Sequence, residues 1–357
     1  MKRPLLHAAL LLAAAPSTAQ QWQRLVLPPG NPNSLVNEIR VSGQNDVVIV
    51  GYVGSSFGDT VRFGNGIEVP FNNSQTQFGF VAAYSPNDQS MWAKRIGGDF
   101  CGAYTSGLAI DGADNIYVSG GYGGQVDLGG GVVLPPSSAS GSCGCNAGDG
   151  FVVKFDPDGN ALWAVAMGSS TDGCEAVRKL AMAPDGNLIG VIVFRNSVIL
   201  NGQTHQADVS VLATNADGVV FKMDTAGTIL WSTTITGPGD EYFNTLSVDA
   251  GGNVLVGMKS DSNVLTAGGQ QIALGTTSTY EDVLWKFDAG GGSLWAAAVA
   301  DGRDVDGIFG LNTHHDAQPA CATDLQNDNV YFTGSYSAAS NLLRIIEANG
   351  NVQQVPM

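Results

Sequence analysis

Basic residues are scarce: 16 Lys and Arg stand against 32 Asp and Glu in 357 residues, a formal net charge of −16. A surface so acidic repels phosphate backbones and anionic headgroups, which excludes nucleic acid as a partner. Its ordinary use is to keep an exported protein soluble. Charged residues of both signs amount to only 13%, against 44% hydrophobic. That is too little charge for a disordered chain and enough apolar material for a sizeable core. No long apolar run follows the N-terminus, which excludes a membrane-spanning helix. Helical periodicity is nearly absent as well. Glycine, by contrast, is abundant at 48 residues and recurs beside Asp and Asn. Many short strands joined by such turns form an all-β chain.

Residues 1–19 read as a secretory signal peptide: Lys2 and Arg3, an apolar run from Leu5 to Ala15, then Ser17-Thr18-Ala19. Small residues at the −3 and −1 positions place cleavage near Ala19. The run is too short to span a bilayer, and no Cys follows it to accept lipid. The expectation is a soluble mature chain, 20–357, secreted or at the cell surface, forming one domain and acting as a monomer.

Tryptophan supplies a ruler. Trp92, Trp163, Trp231 and Trp295 are 71, 68 and 64 residues apart, in similar surroundings. Residues 151–168 read FVVKFDPDGNALWAVAMG and residues 283–299 read VLWKFDAGGGSLWAAAV. Each is an apolar run, a turn holding Asp, Asn or Gly, and a second run with the Trp, which is a β-hairpin. Between these lie strand–turn–strand blocks such as 108–120, LAIDGADNIYVSG, and 246–257, LSVDAGGNVLVG. One unit is therefore four strands, A-B-C-D, with a small extra hairpin between B and C. Its turns are Gly64-Asn65-Gly66, Gly129-Gly130-Gly131, Asn201-Gly202 and Gly268-Gly269, residues that tolerate positive φ.

Tandem four-stranded units without helices predict a β-propeller of about five four-stranded antiparallel blades. The units run roughly 36–98, 104–168, 176–237, 243–300 and 320–357. Six blades, or an incomplete ring, are the alternative, because Trp22–Leu27 looks like a stray D strand and the fifth unit ends in a short C-D pair without the Trp. The tryptophans are expected to fill the gap between adjacent blades.

The DGxGNxYxxG block followed by FVxKFDPxGNxLWxxxxG resembles the bacterial SBBP-type β-propeller repeat. Asp111–Gly120 with Phe151–Gly168 carry it best, and it covers most of residues 36–300 and, more weakly, 320–357. The resemblance implies a secreted or surface repeat protein, similar to cargo of the type nine secretion route in Bacteroidetes. No C-terminal sorting domain is appended before Met357, so the chain could be a fragment.

Export permits disulfides. In a propeller the D-to-A and B-to-C connections share one face. Cys101 and Cys174 fall in the D-A connections on either side of unit two, and Cys143 and Cys145 in its B-C connection. Two disulfides are expected, one from Cys101 and one from Cys174, each to Cys143 or Cys145. Cys321 is then left free. Cys143-Gly144-Cys145 is too tight for the usual zinc knuckle.

Candidate chemistry is sparse. Asp156, Asp158 and Asn160 partly resemble a Ca²⁺ loop but lack its downstream bidentate Glu, and a hairpin turn explains them. His314-His315-Asp316 lies near Asp304 and Asp306 in the loop 301–319, where neighbouring side chains diverge and a solvated loop is favoured. Gly54-Ser55-Ser56-Phe57-Gly58 matches G-x-S-x-G, yet strands flank both sides where a nucleophile elbow needs a following helix. Tyr104, Asp172, Asp240, Glu241 and Tyr242 occupy D-A connections and, with His314 and His315, form the expected binding face. No catalytic residue, metal site or cofactor is expected. The preferred function is a non-enzymatic extracytoplasmic module that binds a protein or glycan with its loops. The alternative is a propeller enzyme, a glycan hydrolase or lyase with acids around the channel.

Overall fold

The computed structural model describes residues 34–54, 60–70, 77–97, 102–137, 148–169, 175–210, 215–274 and 281–299, together with the strands at 9–10, 25–26, 320–324, 329–333, 342–347 and 352–356. Among the described residues there is no helix, hence none long and apolar enough to cross a membrane. β1 (Ala9–Leu10) pairs with β2 (Leu25–Val26). The chain divides into two compact units, Met1–Ala166 and Met167–Met357.

The first unit holds two four-stranded meanders. Blade one runs β3 (Ser34–Val41), β4 (Val47–Gly54), a small hairpin β5 (Val61–Gly64) and β6 (Ile67–Val69), then β7 (Gln77–Tyr84) and β8 (Ser90–Ile96). Its sheet order is β3-β4-β7-β8. Blade two repeats this with β9 (Ala103–Ile110), β10 (Ile116–Tyr122), the hairpin β11 (Val126–Asp127) and β12 (Val133–Leu134), β13 (Asp149–Phe155) and β14 (Ala161–Met167). The A strand β9 packs across β3, β4 and β7.

The second unit repeats the pattern. Blade three is β15 (Ala176–Met182), β16 (Leu188–Arg195), β17 (Ser197–Leu200), β18 (Gln203–Gln206), β19 (Ala216–Met223) and β20 (Ile229–Thr236). Blade four is β21 (Glu241–Val248), β22 (Val254–Ser260), β23 (Val264–Ala267), β24 (Gln270–Ala273), β25 (Glu281–Phe287) and β26 (Ser293–Val299). Here β21 packs across β15, β16 and β19. Four antiparallel four-stranded meanders, stacked face on face within each unit, are blades of the β-propeller kind.

Both faces of the central strands are apolar because both are covered. In blade one Val47, Ile49, Phe78 and Phe80 pack on one side, while Val48, Val50, Val81 and Ala83 join Val118, Phe151 and Phe155 of blade two on the other. In the second unit Ile189, Val191 and Val220 share a core with Val256, Val283 and Trp285.

The A-B and C-D turns at 42–46, 85–89, 111–115, 156–160, 183–187, 224–228, 249–253 and 288–292 have one geometry. In each, the first residue's N–H donates to the fifth residue's carbonyl, and the fourth residue's N–H donates back to the first. The fourth residue has positive φ, as at Asp114 (61°) and Gly291 (87°). This is the three-residue hairpin loop with a type I turn and a left-handed bulge residue. Asp at the first position stabilises it with its own carboxylate: Asp249 Oδ1 accepts from Gly251 N (3.0 Å) and Asn253 N (2.8 Å), and Asp111, Asp224 and Asp288 do likewise.

The Lys of the C strand reaches the A-B turn of its own blade. Lys286 pairs with Asp249 at 2.7 Å, Lys222 with Asp185 at 2.6 Å, and Lys154 with Asp111 at 3.6 Å. Much of the acidity in the repeat is thereby spent on its own architecture. The expected small hairpins are present too, and one of them links blades three and four: β23 pairs with β20 at Ile235↔Ala267 and Thr236↔Thr266.

The fifth unit departs from expectation. β27 (Ala320–Asp324) and β28 (Asn329–Thr333) form a hairpin, and β27 lies on β21 and β22 where a further A strand would. Its expected C-D pair, β29 (Leu342–Glu347) and β30 (Val352–Pro356), pairs instead with the outer edge of β26, Trp295↔Glu347 through Val299↔Leu343. Among the described residues, the strands of 320–357 therefore form one separate hairpin and one extension of blade four's sheet, whose open D-strand edge takes the last hairpin. Main-chain pairing at an edge is indifferent to sequence.

Candidate functional site

Two constellations of polar groups stand out, both in the second unit. The first is a buried carboxyl pair. Asp217 begins β19 and Glu241 begins β21, and both are fully buried. Asp217 accepts the N–H of Asp208 (2.6 Å) and of Gly237 (3.0 Å). Glu241 accepts the hydroxyls of Ser260 (3.0 Å) and Ser262 (2.5 Å) through Oε1. Burial, together with the neighbouring Asp217 carboxylate, pushes the Glu241 carboxyl far above the usual range. Burial raises Asp217 as well, opposed by the hydrogen bonds it accepts. Both shifts favour the protonated forms, so the pair retains a proton at pH values where isolated carboxyls have lost theirs. Asp149, Glu175, Glu281 and Asp282 are buried at comparable strand ends.

The second constellation is an open polar cleft of ≈ 390 Å³. Its walls carry Gln203, His205 and Gln206 of β18, Ser232 and Thr234 of β20, and the Gly268-Gly269 tip of the β23–β24 hairpin. His205 is 4% exposed. Its Nδ1 lies 2.7 Å from Thr234 Oγ1 and its Nε2 3.0 Å from Ser232 Oγ. Burial lowers its pKa, so the imidazole is neutral near pH 7 and the named lining residues bear no charge. Sequence reading passed over this site, because Ser, Thr and Gln on strands carry no distinctive signal and His205 reads as solitary.

The sequence-derived candidates disperse. Asp240 Oδ1 accepts the N–H of Ala216 (2.9 Å), and Tyr242 donates its hydroxyl to Asp240 Oδ2 (3.4 Å). Glu241, expected on the binding face, lies between blades three and four. Tyr104 is half-buried within β9. Asp172, His314, His315, Cys101, Cys143, Cys145 and Cys174 lie outside the described residues. Cys321 is free and half-buried, its Sγ 3.3 Å from Thr245 Oγ1. Asp156 accepts the backbone and side-chain N–H of Asn160, both at 2.8 Å, while Asp158 lines a small cleft of ≈ 130 Å³ with Asp46 and Asp114. Among the described residues no group of three or more His, Cys, Asp or Glu is placed to hold a metal ion.

No family model and no curated protein matches the chain. Among solved structures it is similar to the Hadza microbial sialidase Hz136, with 11% identity and a TM-score of 0.34, covering 92% of this chain and 66% of that one. It is also similar to the extracellular domain of the putative hybrid two component system BT4673 from B. thetaiotaomicron, with 10% identity and a TM-score of 0.16, covering 92% and 58%. The chain thus spans less than two thirds of either structure, and at these scores neither likeness assigns an activity.

Proposed function

We propose that the chain is exported and works outside the cytoplasm as a non-enzymatic β-propeller module that binds a protein or a glycan. The contrast between its carboxyls and its cleft carries this reading. General acid–base chemistry needs proton-transfer groups within hydrogen-bond reach of a substrate. Asp149, Glu175, Asp217, Glu241, Glu281 and Asp282 are at most 6% exposed, so none of them offers an oxygen to a ligand. The open cleft presents hydroxyls, amides and a neutral imidazole, which recognise by hydrogen bonding.

In the same reading the units are repeats of the SBBP type. Cleavage near Ala19 releases the mature chain, Cys101 and Cys174 each bridge to Cys143 or Cys145, and the loops with Tyr104, Asp172, Asp240, Tyr242, His314 and His315 add to the contact face. One observation favours the glycan-enzyme alternative, namely the buried carboxyls of Asp217 and Glu241, which would need to open to solvent to act.

A glycan array and a pull-down with the secreted protein, run beside glycan-hydrolysis and lyase assays, test the reading. Binding without turnover supports it. Turnover abolished by Glu241→Gln would replace it with the enzyme. Non-reducing mass spectrometry checks the cysteines, and four free thiols at 101, 143, 145 and 174 would end the disulfide proposal.

A further inference from the structure

We propose that the outer edge of β20 receives an extended peptide segment as an added antiparallel strand, lying in the cleft beside His205. The inference rests on the binding-module reading and goes further by naming the form of the ligand.

β20 is paired along one side with β19, from Gly218↔Ile235 to Met223↔Ile229. On its other side only Ile235 and Thr236 meet β23. Among the described residues no strand pairs with that edge from Leu230 to Thr234. An edge strand offers alternate N–H and C=O groups that seek partners. Natural edges are commonly blocked by charge or Pro, but residues 229–236 read ILWSTTIT and contain neither. They are rich in β-branched residues, which suit an extended partner.

The lane beside this edge is open. β23 turns away at Gly268-Gly269: a Cβ at Gly268 would still come within 3.8 Å of Thr233, while one at Gly269 would meet nothing within 4 Å. The five residues from Leu230 to Thr234 span about 17 Å, a length suited to a short strand.

The molecule already fills the corresponding lane once. Trp231 and Trp295 are equivalent in the repeat, and along β26 the residues Trp295–Val299 pair antiparallel with Leu343–Glu347 of β29. A D strand of this fold therefore accepts a fifth strand on its outer edge, and blade three offers the same edge with only its last two residues taken. Strand addition draws its affinity from the main chain and its selectivity from alternate side chains. Here one face of the added strand meets Ser232, Thr234 and the Gln203 and Gln206 amides, which select small polar side chains, while Leu230, 51% exposed, gives an apolar contact at the far end.

The test uses the full secreted protein and two acetylated, amidated peptides. One has the sequence LLRIIE of residues 342–347 and the other alternates Thr and Val. Hydrogen–deuterium exchange is measured with and without peptide. The expected result is saturable binding of at least one peptide and at least ~10-fold slower exchange at Leu230–Thr234. N-methylation of one alternate set of peptide amides should abolish binding, and methylation of the other set should leave it within ~3-fold. Protection on β26 alone, no protection with either peptide, or equal tolerance of both methylation sets overturns the proposal. A glycan that protects this cleft while both peptides fail also overturns it but leaves the binding-module reading intact. Turnover of a glycan would remove both.

Discussion

The indole Nε1–H of Trp231 donates to the carbonyl of Ala289 at 3.0 Å, tying the D strand of blade three to the C-D turn of blade four. Trp92 makes the same bond to Pro157 at 2.9 Å between blades one and two. In both cases the ring lies against the turn's bulge glycine: a Cβ at Gly291 would fall 2.6 Å from Trp231, and one at Gly159 2.6 Å from Trp92. The repeating tryptophan and the repeating turn glycine are thus two halves of one inter-blade contact.

This contact sets the first prediction. Gly291 and Gly269 both have positive φ, 87° and 79°, but only Gly291 faces an indole. Gly269→Ala should cost about 1 kcal/mol, from backbone strain alone. Gly291→Ala should cost about 2–4 kcal/mol, because the ring must also move. Chemical denaturation of both variants measures the difference, and equal losses would show that the tryptophan does not depend on the glycine.

The second prediction concerns Asp249, which is nearly buried and holds both its own turn and Lys286. Burial works to raise its pKa, but Lys286 and Asn253 outweigh it and the net shift is downward. Removing one partner of a buried pair strands the other, so Asp249→Ala should cost about 3 kcal/mol. Asp224 makes the same turn bonds (2.8–2.9 Å) while only half-buried and without a lysine partner among the described ion pairs, and Asp224→Ala should cost about 1 kcal/mol. A depressed carboxyl contributes stability above the ordinary carboxylate range and loses it as pH falls through the folded value. Asp249→Asn should therefore flatten the acid limb of a Tm–pH curve.

The carboxyl pair acts in the opposite direction. Glu241 is raised, first by burial and then by Asp217, so the folded state binds a proton that the unfolded chain has released. Its contribution is complete below the ordinary glutamate range and declines as pH rises toward the folded value. Glu241→Gln keeps a donor for Asp217 and an acceptor for Ser260 and Ser262 without the titration. Its Tm should fall less than the wild type's between pH 5 and 9, where the midpoints are read by calorimetry at each pH; parallel curves would show that Glu241 is ionised in the fold.

His205 should mark the acid side of the cleft. Its pKa is lowered by burial, so its contribution is present above the ordinary imidazole range and is lost as pH falls through the folded value. His205→Gln should remove that part of the pH dependence. NMR titration of the imidazole is the direct check, and a midpoint at or above the ordinary value would contradict the buried, neutral ring.

Much of the fold was legible in the sequence because its signals are local. Alternating apolar runs, Asp-x-x-Gly turns and Gly-rich small hairpins each specify backbone geometry over a few residues, and four copies reinforced one another. The cleft was not legible. Its walls come from β18, β20 and the β23–β24 tip, and only inter-strand pairing brings these together. Glu241 was misread for a related reason: its position in a D-A connection is a statement of topology, whereas its burial depends on how β21 lies against blade three.

By itself the sequence determined that this chain folds into repeated antiparallel hairpins, since strand alternation and turn chemistry act within each unit. Only the tertiary structure decided where the last hairpin docks, which acids are buried and which strands wall the cleft. Those outcomes depend on main-chain pairing and desolvation between segments far apart in the chain, and neither leaves a mark on residue order.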